Sequence, residues 1–346
     1  MPTSFRHSKD KLLRSFLDFL WRQWSALGVA GYSDRRDTRI IDPEALLLAT
    51  TRFGRYDSRL FDEVIDWLAS QGKRINLQRL RRLHDEWPLA DLRILAAISD
   101  GLATQSVMRK WISLSEPLPR STKPEPLFIG FDGNPLPILQ EPDQTFLRYG
   151  LLRDPIERRR MSQSPDPGRP SNLLLSMRAL FGVNSRAEIM AWLLTHDSGH
   201  PAAIARDTGY FSKSIQHTLN EMEDCGHIRS RRNGREKIFW LPANDWKFLV
   251  HAPQDATPPP QWVDWMPLFF AITTFIDDLA QPGLDEAPEQ IQSIQLRQAL
   301  DAAMPALSRA GLAETLTASR KLTGSSLIAA LHDDLQKLEH ALLSHA

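Results

Sequence analysis

Apolar residues recur at helical spacing over most of the chain. In residues 1–116 they stand three and four positions apart, as Leu13, Leu17 and Leu20 do, which is the period of an amphipathic α-helix. Gly, Asp and Pro separate these stretches, and Pro43 stands where proline fits the first turn of a helix. The pattern predicts an N-terminal helical domain of five or six helices.

The pattern changes in residues 117–170. The stretch LFIGFDGNPLPILQ places short apolar runs between Asp-Gly and Pro turns, which predicts short β-strands. The stretch RDPIERRRMSQSPDPGRP follows and is basic, rich in proline and too poor in apolar residues to pack on its own. We therefore expect a short β element and then a basic linker.

Residues 171–250 show several short amphipathic helices followed by a hairpin. Ser185 and Glu188 have the spacing of a capping box at the start of the second helix. A short third helix ends at Gly209, and a fourth follows with Ser212 as the expected N-cap and Gly226 just past its end. Two short helices joined by a tight turn predict a helix-turn-helix. After the stretch HAPQDATPPP, residues 261–346 predict a C-terminal helical domain.

The fourth helix has one apolar and one polar face. At 100° per residue Ile215, Leu219 and Met222 fall on one stripe, which we expect to face the core. The opposite face carries donors and acceptors that can bind base edges or phosphates in a major groove. The candidate DNA-binding residues of this face are Lys213, Ser214, Gln216, His217 and Asn220.

The hairpin concentrates basic residues around Asn233-Gly234, which is a strong signal for a two-residue β-turn. Such a turn predicts that Ile228 lies opposite Phe239, Arg231 opposite Glu236, and Arg232 opposite Arg235. Two arginines facing each other repel unless an anion binds between them, so the pair indicates a phosphate site. The candidate contacts here are Arg229, Arg231, Arg232, Arg235 and Lys237, against the single acidic Glu236.

The stretch SKSIQHTLNEMEDCGHIRSRRNGREKIFWL resembles the recognition helix and wing of winged-helix transcriptional regulators of the ArsR and MarR type. The resemblance implies that the polar helix residues above, together with Ser212, enter a major groove. It implies further that Arg231, Arg232 and Arg235 contact the neighbouring backbone. It also implies a homodimer on a near-palindromic operator. The stretch RALFGVNSRAEIMAWLL resembles the opening of winged-helix regulators that accompany nucleotidyltransferase-type toxins. The extra helical domains could form the dimer or bind a small-molecule or protein effector.

Charge and cysteine content narrow the function classes. Lys and Arg number 42, as do Asp and Glu, so attraction to nucleic acid must come from local clusters. Two further clusters could extend a DNA footprint: Lys73, Arg74, Arg79, Arg81 and Arg82, and the linker arginines Arg158, Arg159 and Arg160. The only cysteine, Cys225, excludes an internal disulfide and a Cys-based zinc site. With no long apolar span, we expect a cytoplasmic protein that does not enter a membrane.

Catalytic motifs are missing from the sequence. It contains no GxxxxGK, GxGxxG or GxSxG motif, so we expect neither an enzyme nor a cofactor or metal ion. An enzymatic hypothesis would depend on His196, Asp197 and His200 in THDSGH, or on the Asp of FIGFDGNPL. An interhelical loop explains the first of these motifs better.

Together these patterns predict a mainly α protein in which a winged helix-turn-helix domain is flanked by N- and C-terminal helical domains. We expect a sequence-specific double-stranded DNA-binding regulator of transcription, acting as a homodimeric repressor. The alternative is a protein-interaction or antitoxin-type module that neutralises a partner protein.

Overall fold

The computed structural model describes residues 4–31, 37–115, 123–234, 236–246, 249 and 259–343, and it is mainly helical, as predicted. Its α-helices are α1 (Phe5–Ala26), α2 (Pro43–Phe53), α3 (Ser58–Gln71), α4 (Leu77–Glu86), α5 (Leu92–Ala103), α6 (Gln144–Leu147), α7 (Leu173–Phe181), α8 (Ser185–Leu193), α9 (Pro201–Thr208), α10 (Ser212–Asp224), α11 (Ala243–Trp246), α12 (Trp265–Leu279), α13 (Glu289–Arg309) and α14 (Gly324–Leu343). Its strands are β1 (Glu125–Pro126), β2 (Leu151–Leu152), β3 (Arg229–Asn233) and β4 (Glu236–Trp240).

Helices α1–α6 and α12–α14 form one helical body. Phe16 of α1 lies 4.9 Å from the ring centroid of Phe53 in α2 and 5.4 Å from that of Phe269 in α12. All three rings belong to a single hydrophobic cluster that includes apolar residues of α1–α6 and α12–α14. The N- and C-terminal helical domains of the sequence prediction therefore share one core in the structure.

The first part of this body follows its sequence pattern closely. The described residues 4–31 and 37–115 contain the five helices α1–α5, in agreement with the predicted five or six helices. Pro43 is the first residue of α2, and the Asp42 side chain caps that helix by accepting hydrogen bonds from the amides of Glu44 and Ala45. Local start signals were sufficient to find this helix.

The β element consists of two very short parallel strands, because β1 and β2 are only two residues each. The basic linker that follows lies along the body. Arg153 is buried and donates to Asp62 of α3 at 2.7 Å, and the Gln163 amide donates to the Gly28 carbonyl at 2.8 Å. A stretch too polar to pack by itself is thus held by ion pairs and backbone hydrogen bonds to the body.

Helices α7–α10 and strands β3 and β4 form a second unit, which we call the hairpin module (residues 173–240). It has its own core under the β3–β4 hairpin, and Phe239 of β4 also pairs with Gly199 through hydrogen bonds of 2.8 and 2.9 Å. A Cβ on Gly199 would overlap the ring of Trp192, so glycine is required at this close approach. The core is built from Leu174, Met190, Trp192, Ile204, Ile215, Leu219 and Phe239, among others.

A buried ion cluster joins the hairpin module to the body. Arg178 of α7 donates to both carboxylate oxygens of Glu44 in α2, at 2.6 and 2.8 Å, and to Glu188 of α8 at 2.6 and 2.8 Å. None of the three side chains is exposed. Burial raises the pKa of Glu188, and Arg178 offsets only part of this rise. The Glu188 side chain therefore pairs with Arg178 inside the protein. The predicted capping box of Ser185 and Glu188 is wrong, because Asn184 caps α8 instead.

Arg79 of α4 extends the same cluster. Its guanidinium binds Asp42 and Glu44, and its Nε donates to the Thr208 carbonyl at the end of α9 at 2.6 Å. Gly209 follows in the left-handed conformation with φ of 69°, which confirms that α9 ends there. The turn between α9 and α10 is consequently fixed on α4.

Arg309 of α13 forms a second connection between body and module. It donates to Asp264 at 2.8 Å, forms an ion pair with Glu86, and donates to the Arg206 carbonyl in α9 at 3.0 Å. Burial raises the pKa of Asp264 to about 6, although Arg309 opposes this shift.

We expect Asp264→Asn to gain stability relative to the wild type as pH rises. Since the pKa is 3.8 in the unfolded chain and about 6 in the folded protein, folding retains a proton between these values. The wild-type free energy of unfolding should therefore fall by about 2 kcal/mol from pH 4 to pH 7 through this group. Asparagine does not ionise and avoids the loss. Urea unfolding of both proteins at the two pH values measures the difference, and a pH-independent difference would contradict the prediction.

Along the described part of the chain, no helix combines the length and the apolar character needed to cross a lipid bilayer.

Candidate nucleic-acid interface

The first two turns of α10 present the predicted polar face. Ile215, Leu219 and Met222 are buried, which confirms the predicted core stripe. The polar candidates Ser212, Lys213, Ser214, Gln216 and His217 are all exposed. Ser212 is the first residue of the helix and not its N-cap, so that prediction is wrong. The N-cap is Phe211, and no described side chain bonds to the free amides of this turn.

Asn220, the last of the helix candidates, is half-buried and binds the hairpin. Its Oδ1 accepts a hydrogen bond from Lys237 Nζ at 3.3 Å. Lys237 also forms an ion pair with Glu223 and lies 4.9 Å from the centroid of the Phe239 ring. Hydrogen bonds from Lys237 and Ser230 lower the pKa of Glu223. In this structure Lys237 and Asn220 hold the hairpin against α10.

The predicted register of the hairpin is wrong by two residues. Arg231 pairs with Ile238, Arg232 with Lys237 and Asn233 with Glu236, and Ser230, not Ile228, lies opposite Phe239. Asn233 therefore belongs to the paired part of β3, and the loop begins at Gly234, which has a φ of 64°. The register also allows Phe239 to enter the core and pair with Gly199.

In the observed register Arg232 does not face Arg235, so the predicted phosphate site between two facing arginines is not formed. Arg235 lies outside the described residues, and Arg232 faces Lys237, whose charge is balanced by Glu223. Arg229, Arg231 and Arg232 are exposed. None of the three forms an ion pair with any residue that the structure describes. Strand β3 is nevertheless basic. Its exposed arginines, which have no ion-pair partner among the described residues, could each bind a phosphate.

Charge is distributed unevenly along α10. Its first turn contains no acidic residue, and Lys213 there forms no ion pair with the described part of the chain. Farther along, Glu221 accepts from Arg186 at 2.6 Å and lies 3.5 Å from His217 Nδ1. Because Arg186 and Lys237 compensate Glu221 and Glu223, the positive end of the helix dipole and Lys213 dominate the N-terminal end.

The two other basic clusters lie on the body. Arg79 is buried in the ion cluster, so the hypothesis that it contacts DNA is wrong. Arg82 reaches the hairpin module, where its guanidinium carbon lies 3.8 Å from the centroid of the Phe211 ring. The linker arginines are exposed beside α3, with Arg159 at 3.7 Å from Glu63. Sequence reasoning missed Phe211, because a lone aromatic residue before a helix resembles a core residue.

The THDSGH loop has a structural role. The imidazole of His196 stacks on Trp192 with ring centroids 3.7 Å apart. His200 caps α9 by accepting from the Ala202 amide at 3.2 Å. Across the described residues no group of three or more His, Cys, Asp or Glu side chains could hold a metal ion. Asp132 of FIGFDGNPL accepts hydrogen bonds from Asn134 within a single turn.

Comparison of the chain with protein-family models, with characterised proteins and with solved structures gives no match.

Proposed function

We propose that the hairpin module is a winged helix-turn-helix and that the protein is a sequence-specific double-stranded DNA-binding regulator of transcription. The observation that carries the proposal is the juxtaposition of two surfaces. The exposed polar turns of α10 and the exposed arginines of β3 belong to one small unit, in which Glu223 of α10 binds both Lys237 of β4 and Ser230 of β3. The order of α8, α9, α10 and the hairpin supports the proposal, because in such a domain the wing follows the recognition helix.

In this proposal the two surfaces have different tasks. Lys213, Gln216 and His217 reach base edges in a major groove, where each good pair discriminates by about 1 to 3 kcal/mol. Arg229, Arg231 and Arg232 bind phosphates and supply an affinity that depends on salt. No step is catalytic. We infer that the protein acts in the cytoplasm as a repressor.

The test is duplex binding by Arg231→Ala with Arg232→Ala. Fluorescence anisotropy of a labelled duplex from the DNA upstream of the coding region is measured at about 50 mM and about 200 mM salt. Losing two phosphate contacts should lower the slope of log affinity against log salt by about 2 and weaken binding roughly 10- to 100-fold.

The matched control is Arg109→Ala with Arg148→Ala, which removes the same charge from exposed positions of the helical body. It should leave affinity and salt slope at the wild-type values. Equal effects of the two double variants would show that net charge alone attracts DNA. An unchanged slope in the first variant would refute the role of β3.

A homodimer belongs to the same proposal, as does an effector bound by the helical body. A cavity of about 270 Å³ lies between α4, α5 and residues 113–114, lined by Leu80, Arg81, His84 and Leu95 among others. Since α4 also supports the turn before α10, a ligand there would be close to the proposed DNA-binding helix.

The second candidate is a protein-interaction or antitoxin-type module. In that case a partner would bind exposed apolar residues of the body, such as Val107 and Ile112 of the segment 106–114, which are 71% and 62% exposed. A protein of this class would bind no duplex at low salt, so the anisotropy measurement separates the two functions.

A further inference from the structure

Phe211 is an exposed aromatic residue at the start of the proposed DNA-binding helix. It is 67% exposed, and no other phenylalanine or tryptophan that the structure describes is comparably exposed. As the N-cap of α10 it directly precedes Ser212, Lys213 and Ser214, which are exposed and polar. An apolar surface of one ring surrounded by polar side chains is too small for a stable protein interface.

The helical body holds this ring in place. Arg82 of α4 stacks its guanidinium on the ring, 3.8 Å from the centroid, which is a favourable cation–π distance. The preceding residues are fixed on the same helix, since Arg79 binds the Thr208 carbonyl and the Asn76 amide group donates to the Tyr210 hydroxyl. Phe211 is therefore preorganised in an exposed position.

Arg82 brings a positive charge to a helix end that is already positive. The first turn of α10 carries no acidic residue and no described side chain caps it. Glu86, one turn farther along α4, forms its ion pair with Arg309. Arg82, Lys213 and the helix dipole thus favour an anion beside the ring.

We propose that Phe211 and Arg82 extend the DNA-binding surface beyond the hairpin module, with Phe211 against a thymine methyl group and Arg82 on a neighbouring phosphate. The thymine methyl is the apolar group that base pairs present in the major groove. The ring lies at the end of the helix that enters this groove in the proposed function, on which the present inference rests. Phe211 then determines specificity, and the body takes part in binding.

The test compares thymine with deoxyuracil, which lacks only the methyl group. Duplexes that the wild type selects from a random pool are synthesised with deoxyuracil at one thymine position at a time. The wild type should bind about 3- to 5-fold more weakly when the contacted methyl is removed. Phe211→Ala should show no such difference at that position, and Leu180→Ala, which removes another exposed side chain of the module, should retain it.

Arg82 is tested separately by Arg82→Gln, which should lower the salt slope by about 1. Circular dichroism verifies that each variant folds, as expected for Phe211 and Leu180, which are exposed, and for Arg82, which is half-buried. The thymine contact would be refuted if deoxyuracil did not weaken binding by the wild type, or if it weakened binding by Phe211→Ala equally. Duplex binding and the proposed function would not be affected by either result. An unchanged salt slope in Arg82→Gln would overturn the phosphate contact. If the wild type bound no duplex, both proposals would fall together.

Discussion

Replacing Arg178 by alanine is expected to destabilise the protein by about 3 to 5 kcal/mol. The side chain is fully buried and forms the ion pairs of Glu44 and Glu188, which are also fully buried. Without it, both carboxylates remain inside the protein with less compensating charge, and Glu188 loses its guanidinium partner. Urea unfolding at neutral pH measures the loss. The loss should shrink at low pH, because Glu188, whose pKa is raised by burial, can then take up a proton.

Arg186→Ala is the matched control for this variant. Arg186 pairs with Glu221 at the same distance of 2.6 Å, but the two side chains are 48% and 44% exposed. A solvated pair contributes about 0 to 1 kcal/mol, because water screens the charges and competes for them. Equal destabilisation by the two variants would show that burial does not increase the effect of losing an arginine on the free energy of unfolding, in contradiction to the prediction.

The ion cluster also shows what the sequence could not reveal. Glu44 and Arg178 are 134 positions apart, and nothing in their local patterns indicates that they meet. Arg79 lies in a basic stretch that suggests a solvated or DNA-binding face, yet it is buried between Asp42 and Glu44. Whether such a charged residue is buried depends on partners that are distant in the sequence. Helix periodicity is a local property, and it was sufficient to predict that Ile215 and Leu219 are buried.

In the hairpin, too, some features follow from the local sequence and others from tertiary contacts. The Asn-Gly signal predicted the hairpin but placed its turn one residue too early, since two-residue turns with glycine first or second are both common. The choice between them depended on Phe239, which fills the module core and pairs with Gly199, a contact made 40 positions away along the chain. Local sequence therefore predicted the hairpin and its charge, and tertiary packing determined which residues face each other. The contact between Arg82 and Phe211 is also tertiary.

Phe239→Ala is expected to cost about 3 to 5 kcal/mol and to weaken duplex binding without removing any charge. The ring is fully buried, and Lys237 packs over it while bound to Glu223. Loss of the ring leaves a cavity under the hairpin and removes the surface that positions Lys237. Urea unfolding measures the stability, and anisotropy at a temperature where the variant is folded measures the affinity. Ile238→Ala, on the half-buried neighbouring position, should cost clearly less in both measurements.

The salt dependence of binding by Phe239→Ala distinguishes the contribution of the hairpin's position from the contribution of its charge. Phe239→Ala retains Arg229, Arg231 and Arg232, so its binding to random duplex should keep the wild-type salt slope. Its preference for a selected duplex should decrease, because a loosened hairpin no longer fixes the angle at which α10 meets the groove. If Phe239→Ala instead lowered the salt slope as the arginine variant does and kept the preference, the core under the hairpin would have no separate role in recognition.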